Sequence, residues 1–132
     1  MKLWRLLGHY DSTTTSYTAC AGTKQTSPYV PDFNGKLIGL LGLVAGGAAT
    51  SLVQHVQFRL TCTTFRPNEI HAAAQGSGLQ TAPAVKTGEQ LYFEVEQPIL
   101  AGIPIHVEGR NEAGAETVVT PEVMLYGLFQ VS

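Results

Sequence analysis

Four histidines, at positions 9, 55, 71 and 106, are the first residues to test for chemistry. A metal site needs converging ligands, and its usual trace in a sequence is a closely spaced pair such as HxH or HxxxH. No such pair occurs. His55 and His106 therefore read as residues on the wet faces of strands, and no metal ligand set is expected. Glu94 and Glu96 stand two positions apart, as do His106 and Glu108. Neighbouring carboxylates can serve as acid and base across one bond. Here no cluster of Trp, Asn and Arg builds a pocket around them. A solvated face is the expected role, or ion pairs across a subunit boundary to Arg59 or Arg110. No GxSxG turn presents a serine nucleophile, and the pieces GGAAT and GSG lack the lysine of a phosphate loop. The inventory leaves no catalytic residue and no cofactor, so an enzyme is not expected.

Cys20 and Cys62 are the only cysteines. Their spacing fits neither CxxC nor a zinc site. Cys62 falls among the apolar residues of its segment and reads as a buried thiol acting as a small hydrophobe. A disulfide between the two is left open, since the geometry of a bridge is not written in the sequence.

The elements that would carry these residues centre on Gly35 to Phe65, GKLIGLLGLVAGGAATSLVQHVQFRLTCTTF. Val56, Phe58, Leu60 and Cys62 fall on one parity, and His55, Gln57, Arg59, Thr61 and Thr63 on the other. Side chains of a strand alternate between faces, so this is a strand with one buried and one wet face. A helix would place Arg59 and His55 beside Phe58. The run Leu37 to Ala49 is apolar on both parities, which fits a strand buried on both faces or covered by another chain. Gly42 and Gly46 form a GxxxG, but the run is shorter than the roughly 20 residues a membrane-spanning helix needs. Gly46-Gly47 reads as the turn between the two strands.

With 132 residues the chain supports one domain with one sizeable core. Charged residues make up 14% against 44% hydrophobic, and the net charge is −2. The usual charged share is about a quarter, so much of the outside reads as covered by partners, or the chain as a low-charge secreted domain. No basic run exists to neutralise phosphates, and nucleic-acid binding is not expected. The opening MKLWRLLGHYDS is interrupted by Arg5 and His9 and lacks the pattern of a signal peptide. No membrane contact is indicated.

Residues 2–10 alternate loosely and read as an opening strand. Residues 11–34 are rich in Ser and Thr, contain Pro28 and Pro31, and scatter aromatics at Tyr17, Tyr29 and Phe33. This segment is too long for a hairpin loop. It is expected to cross over a sheet edge or over a neighbouring subunit. Beyond the central pair, Glu69–Gln75 reads as a short strand and Gly76-Ser77-Gly78 as a turn. Leu79–Val85 reads as an edge or irregular segment because of Pro83, and 86–89 as a further turn. In Gln90–Gln97, Leu91, Phe93 and Val95 point inward while Tyr92, Glu94 and Glu96 point outward. Ile103, Ile105 and Val107 mark another half-buried strand, and Arg110–Ala115 a hairpin-type loop. The closing strand, Glu122–Val131, has Val123, Leu125, Phe129 and Val131 on one face and Met124, Tyr126 and Leu128 on the other. The whole predicts seven or eight short strands without a helix, hence an all-β antiparallel sandwich or barrel formed by residues 1–132.

One domain has one core to fill. Leu40, Leu43, Met124, Tyr126 and Leu128 exceed what it can use, and exposed apolar patches mark association surfaces. With Tyr17, Tyr29 and Phe33 of the crossover, these are the candidate subunit-interface residues. The tail GIPIHVEGRNEAGAETVVTPEVMLYGLFQV, following an alternating strand, resembles the last strands of small viral coat proteins. The resemblance covers about Gly35 to Val131. It implies a single jelly-roll β-sandwich, a capsid or capsid-decoration role in a virion, and no catalysis. The implied partners are copies of the chain itself and other capsid proteins. The basic arm of coats that grip RNA is absent. A carbohydrate- or protein-binding sandwich module is the alternative function.

Overall fold

A computed structural model describes residues 1–12, 14–46, 54–76, 91–111 and 122–132. Its elements are β1 (Lys2–Tyr10), β2 (Thr18–Ala19), β3 (Gly35–Gly46), β4 (Gln54–Thr61), β5 (Glu69–Gly76), β6 (Leu91–Ile99), β7 (His106–Asn111) and β8 (Glu122–Val131). Among the described residues there is no helix, so none is long and apolar enough to cross a membrane. The turns expected at 46–47, 76–78 and 86–89, the segment 79–85 and the loop 110–115 lie wholly or partly outside the described residues.

The strands form two four-stranded antiparallel sheets. Sheet A has the order β1-β8-β3-β6 and sheet B the order β2-β7-β4-β5. The first strand pairs with the eighth, the second with the seventh, the third with the sixth and the fourth with the fifth. This nested pairing, wound over two sheets, is the jelly roll.

Period-two patterning sets which face each strand buries. Val56, Phe58 and Leu60 of β4 and Val123, Leu125 and Phe129 of β8 are buried to 1% exposure or less. They meet Leu7, Tyr10, Leu37, Ile99, Ile105 and Val107 in one core. A register shift separates Leu37 from Gly39 in both pairings of β3, and a second separates Leu6 from Gly8 in β1. An extra residue at a bulge reverses which parity faces inward. Leu37 and Leu40 are therefore both fully buried. The expectation that Leu40 is surplus to the core is thus corrected. Farther along, Gly42 faces β5 of the other sheet, where a Cβ would collide with the carbonyl oxygen of Ala73. Only glycine lets the two backbones approach so closely.

The segment 11–34 lies over the edges of its own sandwich. Its backbone bonds Gly22 N to His9 O at 2.9 Å and accepts from His9 N at Gln25 O at 3.1 Å, on the edge of sheet A. It bonds Cys20 N to Val107 O at 2.9 Å and pairs Tyr29 with Ile105 in both directions, along sheet B. Edge groups that would otherwise solicit a foreign strand are thereby satisfied. Cys20 and Cys62 are both buried and both free, which closes the disulfide question.

Candidate functional site

Because of the two bulges, the outer face of sheet A carries a row of apolar side chains in register. Leu6 of β1 stands opposite Tyr126 of β8, which stands opposite Leu41 of β3, which stands opposite Tyr92 of β6. The adjacent row runs Trp4, Leu128, Gly39. A Cβ at Gly39 would strike the Tyr92 ring, so glycine there lets the tyrosine lie flat across β3. Trp4 and Tyr92 converge from the two edge strands to a ring separation of 6.4 Å, edge to face. Each is 47% exposed. Leu6, Ile38, Leu41, Leu43, Tyr126 and Leu128 are half-buried. Polar groups border this strip at one end. Lys2, Gln130 and Lys36 share a row, and Lys36 Nζ reaches Glu96 Oε1 at 2.9 Å.

The eight sequence-derived interface residues divide among four environments. Leu43, Tyr126 and Leu128 lie on this outer face. Met124 shares their parity but is 4% exposed, and Tyr126 Oη donates to its thioether at 3.6 Å. Leu40 lies in the core. Tyr29 and Phe33 pack within the subunit on Phe129, at ring separations of 5.9 and 5.2 Å. Tyr17 lies on the outer face of sheet B. Sequence reasoning missed Trp4, Leu6, Leu41 and Tyr92. The parity shared by Trp4 and Leu6 was a usable signal. Tyr92 was hidden between glutamates.

The outer face of sheet B is polar and internally paired. Arg59 of β4 stands opposite Glu108 of β7 and His71 of β5. Its Nη2 lies 2.8 Å from Glu108 Oε1, and its Nε 3.8 Å from Glu69 Oε1. The bond to Glu108 raises the guanidinium pKa further above its ordinary range. The ion pair expected across a subunit boundary is therefore made within the chain. The Tyr17 ring lies 4.2 Å from Arg59 Cζ and 4.5 Å from Arg110 Cζ, a double cation–π contact. Arg110 Nε donates to Gln57 Oε1 at 2.7 Å. Beside them opens a cavity of about 390 Å³ lined by Tyr17, Gln57, His71, Ala72, Ala73, Phe93 and Arg110.

Two buried groups complete the inventory. His9 is 3% exposed beneath the crossover, its Nδ1 accepting from the Lys24 backbone N–H at 3.2 Å. The Cys20 thiol is pushed up to about 12, first by burial and then by the charges of Asp11 and Glu108. No group of three or more His, Cys, Asp or Glu among the described residues is placed to hold a metal ion.

No protein-family model matches the chain. No curated protein matches it. Solved structures do. One is the structure of infectious bursal disease virus, Gx strain, at 12% identity and TM-score 0.47 over 99% of this chain and 32% of that one. The chain thus spans about a third of that viral chain. Another is the globular domain of zebrafish complement 1qA protein, at 6% identity and TM-score 0.42 over 99% and 95% of the two chains. A third is the crystal structure of FLHE, at 9% identity and TM-score 0.40 over 97% and 90%. These likenesses go no further than the arrangement of strands.

Proposed function

We propose that the chain is a structural subunit of a virus particle, in the coat or decorating it, and that copies associate through the outer face of sheet A. On this reading it resides in the virion and catalyses no reaction. The observation that carries the proposal is the apolar strip Leu6–Tyr126–Leu41–Tyr92, flanked by Trp4 and Leu128, across all four strands of one sheet. Buried apolar area contributes about 25 cal/mol per Å², and aromatic side chains dominate interface centres. A standard interface removes about 800 Å² per partner, roughly an eighth of the subunit's 6688 Å². The strip and its polar border supply a core and a rim of that kind.

A second copy suits this face in charge as well as in polarity. A two-fold axis between two such faces, parallel to the strands, lays β1 of one copy over β6 of the other. Lys2 then lies toward the end of the partner strand that carries Glu94 and Glu96. A self-complementary patch of this sort is what an isologous contact requires. Analytical ultracentrifugation of the wild type and of Leu41→Glu with Leu128→Glu tests the reading. The wild type is expected to associate at micromolar concentration, and the variant to sediment as a folded monomer. A wild type that sediments as a monomer overturns it.

A further inference from the structure

The cavity beside Tyr17 is lined mainly from sheet B, with Phe93 reaching it from β6 of sheet A, and the assembly reading assigns it no role. We propose that it binds a carboxylated sugar residue, with Arg110 as the carboxylate anchor. The guanidinium of Arg110 is held in place before any ligand arrives. Gln57 Oε1 fixes its Nε at 2.7 Å, and the Tyr17 ring lies 4.5 Å from its Cζ. Arg59 contrasts with it. Glu108 at 2.8 Å and Glu69 at 3.8 Å spend the charge of Arg59. Among the described residues no carboxylate lies within ion-pair distance of Arg110, and no acceptor among them takes a hydrogen bond from its Nη atoms. A planar, immobilised guanidinium with its terminal donors unspent matches the geometry of a carboxylate.

The rest of the cavity selects the body of the ligand. Ala73 and Phe93 give it an apolar floor, and the Tyr17 ring an apolar wall. These suit the C–H face of a pyranose. The Gln57 amide, whose oxygen is already taken, offers its NH₂ to ring hydroxyls. His71, with Nε2 directed at Glu69 at 3.2 Å, offers its other nitrogen. The volume of about 390 Å³ accommodates a single sugar and its immediate neighbour, near the lower end of the roughly 300–1,000 Å³ typical of ligand sites. One cation, two hydrogen-bonding groups and an apolar floor describe a uronate more closely than a neutral sugar or a bare anion.

The test is a titration of the intact protein, followed by NMR or calorimetry, with methyl β-D-glucuronide and methyl β-D-glucoside. The glucuronide is expected to bind in the millimolar range, and the glucoside at least about tenfold more weakly, the scale of one charge-assisted bidentate contact. Arg110→Met should lose about the same factor, and Arg110→Lys should recover only part of it. Ala73→Trp keeps every charge, fills the cavity and should abolish binding at an unchanged melting temperature. Equal affinity for the two glycosides overturns the proposal. So does equal competition by acetate or inorganic phosphate, which would make this a site for any anion. Tighter binding of an acidic peptide would assign a different occupant. Binding and association are read separately, by titration and by sedimentation, and the cavity is lined mainly from sheet B, with Phe93 of β6 its contribution from sheet A.

Discussion

Truncation of Phe129 to alanine tests the join between the long crossover and the core. The ring is fully buried. It stacks on Tyr29 at an interplanar angle of 22° and receives Phe33 edge-on at 81°. Removing a buried phenylalanine costs about 3–5 kcal/mol. Each aromatic pair adds about 0.5–1.5 kcal/mol beyond burial, and this ring loses two. Part of that loss is already inside the truncation figure, so the expected cost is in the upper half of the range, about 4–5 kcal/mol. Native domains are stable by about 5–15 kcal/mol, which makes the variant marginal. Urea unfolding should show a lower midpoint at an unchanged slope. Phe129→Leu, which keeps most of the volume, should cost about 1–2 kcal/mol. A double-mutant cycle with Phe33→Leu should return a coupling of about 0.5–1.5 kcal/mol. A cost below about 1 kcal/mol for the alanine variant, or no coupling in the cycle, would refute the claim that residues 29–33 are anchored on β8.

Phe58→Ala, on the inner face of β4, should cost about 3–5 kcal/mol by thermal or urea unfolding. Tyr92→Ser, on the outer face of sheet A, should leave subunit stability nearly unchanged while weakening association in sedimentation. Assembly driven by apolar burial should survive 1 M salt in light scattering, because the Debye length falls to about 3 Å without affecting buried area. Cys20, shifted from 9.0 to about 12 in the folded chain, should resist iodoacetamide at pH 8 until the protein is unfolded. The folded state retains the thiol proton that the unfolded state loses, so this contribution is complete below pH 9 and declines between pH 9 and 12. Relative to Cys20→Ala, stability should fall by up to about 1.4 kcal/mol per pH unit in that window.

The all-β sandwich was legible because burial on one face imposes a period of two. Phe58, Leu60, Phe93 and Leu125 fall where alternation puts them. Leu40 does not, because a bulge adds a residue without adding any mark to the sequence, and the positions from Gly39 to Leu43 change face. The same event exposed Leu41, which joined Leu43, Tyr126 and Leu128 outside. The two residues of β2 could not be read from a Ser/Thr-rich segment, since their role comes from pairing with β7. Tyr17, Arg59 and Arg110 were each visible as single residues. Their meeting depends on β4 and β7 being neighbours, which local pattern does not reveal.

The nested pairing of the strands also constrains how the chain can reach its fold. The register of β4 and β5 begins at Thr61 and Glu69, across a short connection. The pairings β3–β6, β2–β7 and β1–β8 join positions 49–64, 89–91 and 113–128 residues apart, and formed alone each would bear the full entropy of closing its loop. Formed in sequence, each pair is brought close by the one inside it, so the least costly route closes from the middle of the chain outward. Side chains between β4 and β5 should then influence the folding rate, whereas those joining β1 to β8 should act mainly on unfolding. The first and last strands would meet last, and the outer face of sheet A, which needs both β1 and β8, would exist only when folding is complete. On the proposed assembly, the apolar strip would therefore become available for association only after the chain's own core has closed.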